Sequence, residues 1–222
     1  IVDFTSDRRG EQNINIQQKI DQEDIGEEPI SEQDESIFVV STQGFPAQIN
    51  KGELVAFTKD GTIVYHESKY GMYFDIQLVE DEKYTVRYTA SEKLSGLACS
   101  DVKTDECTRS VYNEVNMSTG NQNQLYSEVT PYVSFTRWHD VAQFNSTHIV
   151  VASIHQDGVF VANTETNEKR WLWRADEEFD RPTDKNLDWT HLNDVDVLEN
   201  KTLMLSLRNQ DQVVFIERTK NG

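Results

Sequence analysis

The 222-residue chain has a formal net charge of −18 and 36% hydrophobic residues, so it is long enough for one large or two small domains with a buried core. An acidic surface of this kind repels nucleic acids and anionic membranes, and neither is expected as a partner. No apolar run approaches the ~18 residues that a membrane-spanning helix needs. Such acidity also suits a salt-rich exterior, although the balance of Lys and Arg is not an extreme halophilic composition.

The N-terminal residues 1–35 are expected to form an acidic extended arm or linker. Residues 6–36 are nearly free of aromatic side chains and rich in Gln, Glu and Asp, which is typical of disorder. The alternation in NINIQQKI, residues 13–20, leaves open an arm that orders by adding a strand to a neighbouring sheet. Self-association through the arm would follow from that alternative.

From Ser36 onward the pattern predicts short strands and no convincing amphipathic helix. SIFVVST reads as a strand, and ELVAFTKDGTIVYH as a hairpin that turns at Asp60-Gly61. YFDIQLVEDEKYTVRYT reads as strand, polar turn and strand; residues 139–175 contain three or four strands, and residues 193–222 three more. The predicted fold class is all-β.

Two cysteines, Cys99 and Cys107, flank a polar, turn-rich loop of seven residues. A disulfide across this loop is the favoured interpretation, with two free thiols or a metal site as alternatives. Three glycosylation sequons begin at Asn116, Asn145 and Asn200. Disulfide and sequons together favour an extracellular or cell-surface location.

An internal repeat is present in the second half of the chain. His139-Asp140-Val141, a turn and IVVASIH match Asn193-Asp194-Val195, a turn and LMLSLR at an offset of 53 to 54 residues, and a looser copy surrounds Asp75. A β-rich unit of ~50 residues has the size of a four-stranded propeller blade. Residues 36–222 are therefore expected to form about three to four blades, with a β-sandwich or a solenoid as alternatives.

Polar residues gather at one end of the last predicted hairpin. If residues 195–198 and 202–207 are antiparallel strands, Asn193 lies opposite Arg208, and His191 lies two residues further out. In a propeller that end opens on the central channel, where ligands usually bind.

The preceding repeat predicts a similar arrangement, with His139 opposite His155. His155 is equally compatible with a surface position and with the site. The sequence therefore predicts that two successive blades present polar side chains to one ligand.

Other residues near these positions have structural alternatives. Trp138 and Trp189 are either packing residues or walls for an aromatic ligand, and Asp140 and Asp194 are expected to cap turns. TDKNLDWTHLND has the alternating oxygens of a calcium loop, but Trp189 stands where such a loop needs Gly. No metal and no other cofactor is predicted.

The segment DWTHLNDVDVL, followed by LMLSLRNQDQVVFIE, resembles the arylsulfotransferase family, especially its acidic archaeal-type members. YFDIQLV, the cysteine loop, WHDVAQF and WLWRADEEF resemble the same family in the same order, so the resemblance covers about residues 37–218. It implies a six-bladed propeller that transfers a sulfuryl group from a phenolic sulfate to another phenol without a nucleotide donor. A histidine nucleophile carries the group in this family.

The resemblance also implies a set of site residues. His191, Asn193 and Arg208 match residues that line the family's sulfate pocket, and His139 matches a histidine of the preceding blade. The family's nucleophilic histidine lies on a later blade, and it is matched by none of the five histidines, which are His66, His139, His148, His155 and His191.

Two functional hypotheses follow. The first is an extracellular arylsulfotransferase-like propeller that acts on aryl sulfates and phenols if further blades supply the nucleophile. The second is a catalytically silent propeller that serves as a cell-surface or filament subunit.

The two ends of the sequence suggest an incomplete propeller. Ile1 takes the place of an initiator Met, which indicates processing or trimming, and the chain ends on the hairpin signal Lys220-Asn221-Gly222. We expect the natural chain to continue, or another chain to complete the sheet, because residues 213–216 would otherwise remain exposed.

Overall fold

The computed structural model describes residues 36–44, 51–80, 82–132, 138–182 and 188–217. The predicted arm at residues 1–35 and the hairpin signal at residues 220–222 lie outside the described residues.

Within these ranges the protein is all-β, as predicted: fourteen strands form four antiparallel sheets. In chain order the strands are β1 (Ile37–Ser41), β2 (Leu54–Thr58), β3 (Ile63–Glu67), β4 (Met72–Leu78), β5 (Thr85–Ser95), β6 (Glu106–Asn116), β7 (Asn121–Pro131), β8 (Trp138–Gln143), β9 (His148–Ser153), β10 (Gly158–Asn163), β11 (Lys169–Arg174), β12 (Leu192–Val197), β13 (Leu203–Leu207) and β14 (Gln212–Ile216). The helices among the described residues are short 3-10 turns at Gly96–Val102, Ala175–Glu177 and Arg208–Gln210. None of them is long and apolar enough to cross a membrane.

Each sheet is built from strands that are consecutive in the sequence. β1–β3 form the first sheet, β4–β7 the second, β8–β11 the third and β12–β14 the fourth. The predicted turn at Asp60-Gly61 joins β2 to β3, where Asp60 Oδ1 accepts a hydrogen bond from the Thr62 amide at 3.2 Å. The four sheets do not close into a barrel within the described residues.

Neighbouring sheets pack face to face and share one apolar core per pair. Tyr73 and Tyr88 belong to the core between the first and second sheets, and Tyr126 belongs to the core between the second and third. Leu205 belongs to the core between the third and fourth sheets. Burial of each such side chain contributes about 2–3 kcal/mol of favourable transfer free energy.

The third sheet is covered on both faces. Val151 and Phe160 pack toward the second sheet, while the alternate residues Val150, Ala152 and Val159 pack toward the fourth. Successive side chains of a strand point to opposite faces, so a strand buried on both faces has a continuous apolar sequence. The run IVVAS of β9 therefore reflects the stacking of sheets on both sides.

The first and fourth sheets expose apolar side chains on their outer faces. Phe38 of β1 is 50% exposed, and Val213 and Phe215 of β14 are each 58% exposed. The alternate residues Val214 and Ile216 pack against the core, so exposure and burial alternate along β14.

Cys99 and Cys107 form the predicted disulfide, which links the 3-10 turn after β5 to β6. Both cysteines are fully buried.

The internal repeat is visible in the turns that follow β8 and β12. Asn145 and Asn200 lie in these turns, and each side-chain oxygen accepts the amide of the residue two positions later, Thr147 or Thr202, at 3.0 Å. Both asparagines are exposed. The third sequon residue, Asn116, is half-buried at the end of β6.

Candidate functional site

The first strands of three sheets, β4, β8 and β12, are neighbours, and β8 contacts both β4 and β12. Each has a register shift near its start: between Phe74 and Ile76, between Trp138 and Asp140, and between Leu192 and Asp194. A bulge adds a residue that has no partner across the ladder and re-aims its side chain. His139 and Asn193 are the extra residues of β8 and β12.

These bulges bring polar side chains from two sheets together. His139 Nδ1 lies 2.9 Å from Asn193 Oδ1, and the rings of His139 and His191 meet edge to face with centroids 4.9 Å apart. Phe74 of β4 stacks on the other side of His139 at 5.0 Å. Three of the four site residues that the resemblance implied therefore form one contact cluster, which we call the histidine cluster (His139, His191 and Asn193).

His191 is buried and strained. The residue is 7% exposed, and its φ of 45° lies in the left-handed region that side chains other than Gly seldom adopt. Its Nδ1 bonds to the carboxylate of Asp188, whereas its Nε2 has no hydrogen-bond partner among the described residues. Such a combination of strain and an unsatisfied buried nitrogen is typical of a functional site.

Arg208 reaches the cluster through a different residue than predicted. The register pairs Leu192 with Leu207, and the bulge removes Asn193 from the ladder, so the expected pairing of Asn193 with Arg208 is wrong. The Arg208 amide instead donates to the His191 carbonyl at 3.3 Å. Arg208 is exposed at this end of the hairpin.

The pairing of His139 with His155 is also wrong, since Asp140 pairs with Ala152 and His139 falls in the bulge. His155 lies in the turn between β9 and β10. Burial lowers the pKa of His155 below its ordinary value, and the negative charge of Asp157 opposes that shift.

Trp138 and Trp189 are packing residues. Both are buried: Trp138 stacks on Tyr126 with centroids 5.5 Å apart, and the Trp189 indole Nε1 donates to Asp157 Oδ2 at 2.7 Å. The stacking of sheets turns these side chains into the core, so their burial favours the packing alternative over the ligand-wall alternative.

The loop that carries His191 is held by groups that the sequence analysis did not single out. Asp157 Oδ1 accepts a hydrogen bond from the Thr190 hydroxyl at 2.6 Å, in addition to the one from Trp189. From the other side, the Gln210 side-chain amide donates to the Trp189 carbonyl at 2.6 Å, and the Asn209 amide donates to the Thr190 carbonyl at 3.0 Å. Asp157 precedes Gly158 in the sequence, which indicates only a turn and gives no sign of this contact.

A row of three carboxylates crosses the first strands at the bulges: Asp75 is the extra residue of β4, and Asp140 and Asp194 directly follow the extra residues of β8 and β12. Asp75 Oδ2 accepts the Val141 amide at 3.3 Å, and Asp140 Oδ2 accepts the Val195 amide at 2.7 Å. Asp140 and Asp194 were expected to cap turns, but both lie inside strands. Asp140 links two sheets, and Asp194 is the exposed end of the row.

Burial raises the pKa of all three carboxylates, and contacts within the row add to the rise at Asp140 and Asp194. Burial is the main cause of a rise in the pKa of Asp140 to about 7, and the hydrogen bond and charge of Asp75 add to it. Burial and the proximity of Asp140 raise the pKa of Asp194 to about 6, and burial raises that of Asp75. Asp140 is therefore partly protonated near neutral pH.

Within the described ranges no three His, Cys, Asp or Glu side chains are grouped so that they could hold a metal ion.

The segment that holds the histidine cluster is similar to a known protein family. Residues 139–221 match the family model described as arylsulfotransferase (ASST). No curated protein matches the chain significantly. The matched segment begins at His139 and includes His191, Asn193 and Arg208. Residues 139–221 are therefore similar to the arylsulfotransferase family, in agreement with the resemblance seen in the sequence.

Proposed function

We propose that the four sheets are consecutive blades of an arylsulfotransferase-like β-propeller. At the end marked by the histidine cluster, the protein binds a phenolic sulfate and promotes transfer of its sulfuryl group to another phenol. No nucleotide donor and no cofactor takes part. The nucleophilic histidine of the family comes from a further blade, separate from the four sheets of residues 36–217.

The propeller is supported by how successive sheets stack. Sheets follow one another in chain order, each pair shares one core, and the first strands β4, β8 and β12 are neighbours. Blades around a common axis have this arrangement, with the first strand of each blade innermost.

One observation carries the assignment of the site: His139, His191 and Asn193 come from two sheets and meet in one contact cluster. All three lie in the segment that matches the family. Arg208, whose side chain is exposed, lies at the same end of the hairpin, since its backbone amide donates to the His191 carbonyl.

The chemistry of these groups suits sulfuryl transfer. The group in transfer spreads negative charge over its oxygens, and a planar guanidinium with additional N–H donors stabilises such an anion. Imidazole can give a proton to a departing phenolate or act as a nucleophile. The raised pKa of Asp140 keeps part of the nearby carboxylate row neutral, which reduces its repulsion of a sulfate.

We also propose an extracellular or cell-surface location. It is supported by the disulfide between Cys99 and Cys107 and by the exposed sequons at Asn145 and Asn200.

Calorimetry with an aryl sulfate such as 4-nitrophenyl sulfate tests the site directly. Arg208→Lys should weaken binding about tenfold, or about 1.4 kcal/mol, because Lys lacks the planar two-pronged donor geometry. Asn200→Gln, in the turn at the opposite end of the hairpin, is the matched control and should bind like wild type. Equal binding by wild type and Arg208→Lys would remove Arg208 from the site.

A catalytically silent assembly subunit is the second candidate, favoured by the exposed apolar residues Phe38, Val213 and Phe215 on the outer faces. Sedimentation at increasing concentration separates the two. An assembly subunit associates with itself, loses that association in Phe215→Ser, and transfers no sulfuryl group from 4-nitrophenyl sulfate to phenol even in the complete propeller.

A further inference from the structure

Asp188 and His191 form a buried pair at the start of β12. Their side chains are only 8% and 10% exposed, and the Asp188 carboxylate bonds to His191 Nδ1. The opposite ring nitrogen, Nε2, is buried without a partner among the described residues. The carboxylate thus uses one nitrogen of the ring and leaves the other for a different group.

The contact determines the state of the imidazole. A carboxylate accepts the Nδ1–H, so the neutral ring carries its lone pair on Nε2, and it also stabilises the imidazolium when that ring is protonated. The side chain of Asn209 helps to hold the pair in place, because its amide donates to the Asp188 backbone carbonyl at 2.5 Å. The positive φ of His191 turns its ring toward His139, whose ring it meets at an interplanar angle of 85°.

We propose that Asp188 is a positioning residue that holds His191 with its Nε2 lone pair directed into the site. Through Nε2, His191 exchanges protons with the phenolic oxygens of donor and acceptor. This catalytic role of the pair rests on the proposed sulfuryl transfer, whereas the tautomer does not depend on it.

The proton exchange balances over one cycle. In the first step, sulfur forms a bond to the nucleophilic histidine of the further blade as the S–O bond of the donor breaks; the departing phenolate keeps the electron pair of that bond and takes the Nε2 proton of the His191 imidazolium. In the second step, the acceptor oxygen forms the new S–O bond as the S–N bond breaks, its electron pair returns to the nucleophilic histidine, and the hydroxyl proton of the acceptor passes to Nε2 of His191. No oxidant or reductant is needed.

A purely structural role for Asp188 is the competing explanation, because its carboxylate could simply complete the loop. Its carbonyl is already bonded to Asn209, and its Oδ1 has no partner among the described residues. The carboxylate is thus bonded to His191 through only one of its two oxygens. The state of the His191 ring, rather than stability alone, distinguishes the two roles.

The test uses the full chain labelled with ¹⁵N at histidine, with His191→Gln to assign the His191 signals in a long-range ¹H–¹⁵N spectrum. At pH 8 the wild-type spectrum should show a protonated Nδ1 and an unprotonated Nε2. In Asp188→Ala the proton should shift toward Nε2, while Asp196→Ala, an exposed position of β12, should leave the pattern unchanged. A neutral wild-type ring that carries its single proton on Nε2 overturns the proposal, even if Asp188→Ala does not fold.

Sulfuryl transfer is measured on the same variants, in a complete propeller where one is needed for turnover. Asp188→Ala should lower kcat at least a hundredfold and change the shape of the pH–rate profile, with KM for the aryl sulfate nearly unchanged. A variant that folds, shifts the tautomer and keeps the wild-type kcat refutes the catalytic role. If the wild-type protein shows the expected tautomer but transfers no sulfuryl group, the positioning role of Asp188 is supported and the proposed function is refuted.

Discussion

The Asp140→Asn substitution tests whether the carboxylate row destabilises the fold at neutral pH. The pKa of Asp140 is about 7, against 3.8 for an ordinary aspartate. Because the folded pKa is the higher one, the stability that this group contributes is complete below the ordinary pKa and is lost as the pH rises through about 7. Wild-type stability should therefore fall between about pH 4 and pH 7 because of this group.

The size of the effect follows from the shift. A difference of about three pKa units corresponds to about 4 kcal/mol if Asp140 titrated alone. Its proton is shared with Asp75 and coupled to Asp194, so about half of that value, ~2 kcal/mol, is expected from Asp140→Asn. Asparagine keeps a side-chain oxygen that can accept the Val195 amide and removes the charge.

Urea denaturation at pH 5 and pH 8 measures the difference. Asp140→Asn should be more stable than wild type by about 2 kcal/mol at pH 8, and the advantage should shrink at pH 5. Glu199→Gln in the exposed turn after β12 changes the same charge and should show no such pH-dependent gain. Equal free energies of unfolding for Asp140→Asn and wild type at both pH values would refute the idea that a buried, shared proton is present.

Three further results are expected. Alkylation and intact-mass analysis of the native protein should add no label at Cys99 and Cys107 without reductant, and replacing both by Ser should cost about 2–3 kcal/mol of unfolding free energy; two labels on the unreduced protein would contradict the bridge. Asn145→Gln and Asn200→Gln should remove any glycans without changing aryl sulfate binding, because these turns lie at the strand ends away from the histidine cluster; a loss of affinity in calorimetry would contradict that separation. Asp157→Ala should cost about 2–4 kcal/mol, because it leaves a buried hydroxyl and a buried indole N–H without their acceptor, and it should weaken aryl sulfate binding; unchanged melting and binding would show that Asp157 does not hold the loop.

The sequence by itself determined the features that depend on local pattern. Alternating and continuous apolar runs marked the strands, and Asp60-Gly61 marked its hairpin, because side-chain periodicity and turn chemistry act over a few residues. The repeat at 53 to 54 residues identified His139 and Asn193 as equivalent positions, and the structure brings them within 2.9 Å of each other. The polar, turn-rich loop between Cys99 and Cys107 made a disulfide the favoured interpretation, and the structure contains that bond.

Only the tertiary structure decided the register and the partners. The bulge at Asn193 shifted the ladder, so that His191 rather than Asn193 faces Arg208, and no local pattern encodes such an extra residue. Trp189 was ambiguous as a sequence position and became a packing residue because a neighbouring sheet covers it.

The contacts and pKa shifts of the carboxylates likewise depend on the tertiary structure. Asp140 looked like a turn residue, yet its partner is the amide of Val195, 55 residues away, and its raised pKa comes from burial and from Asp75. Asp188 lies three residues before His191, but its contact depends on the left-handed backbone of that histidine. Burial and proximity between distant segments arise only when the sheets stack, and for that reason the chemistry of these groups could not be predicted from the order of residues.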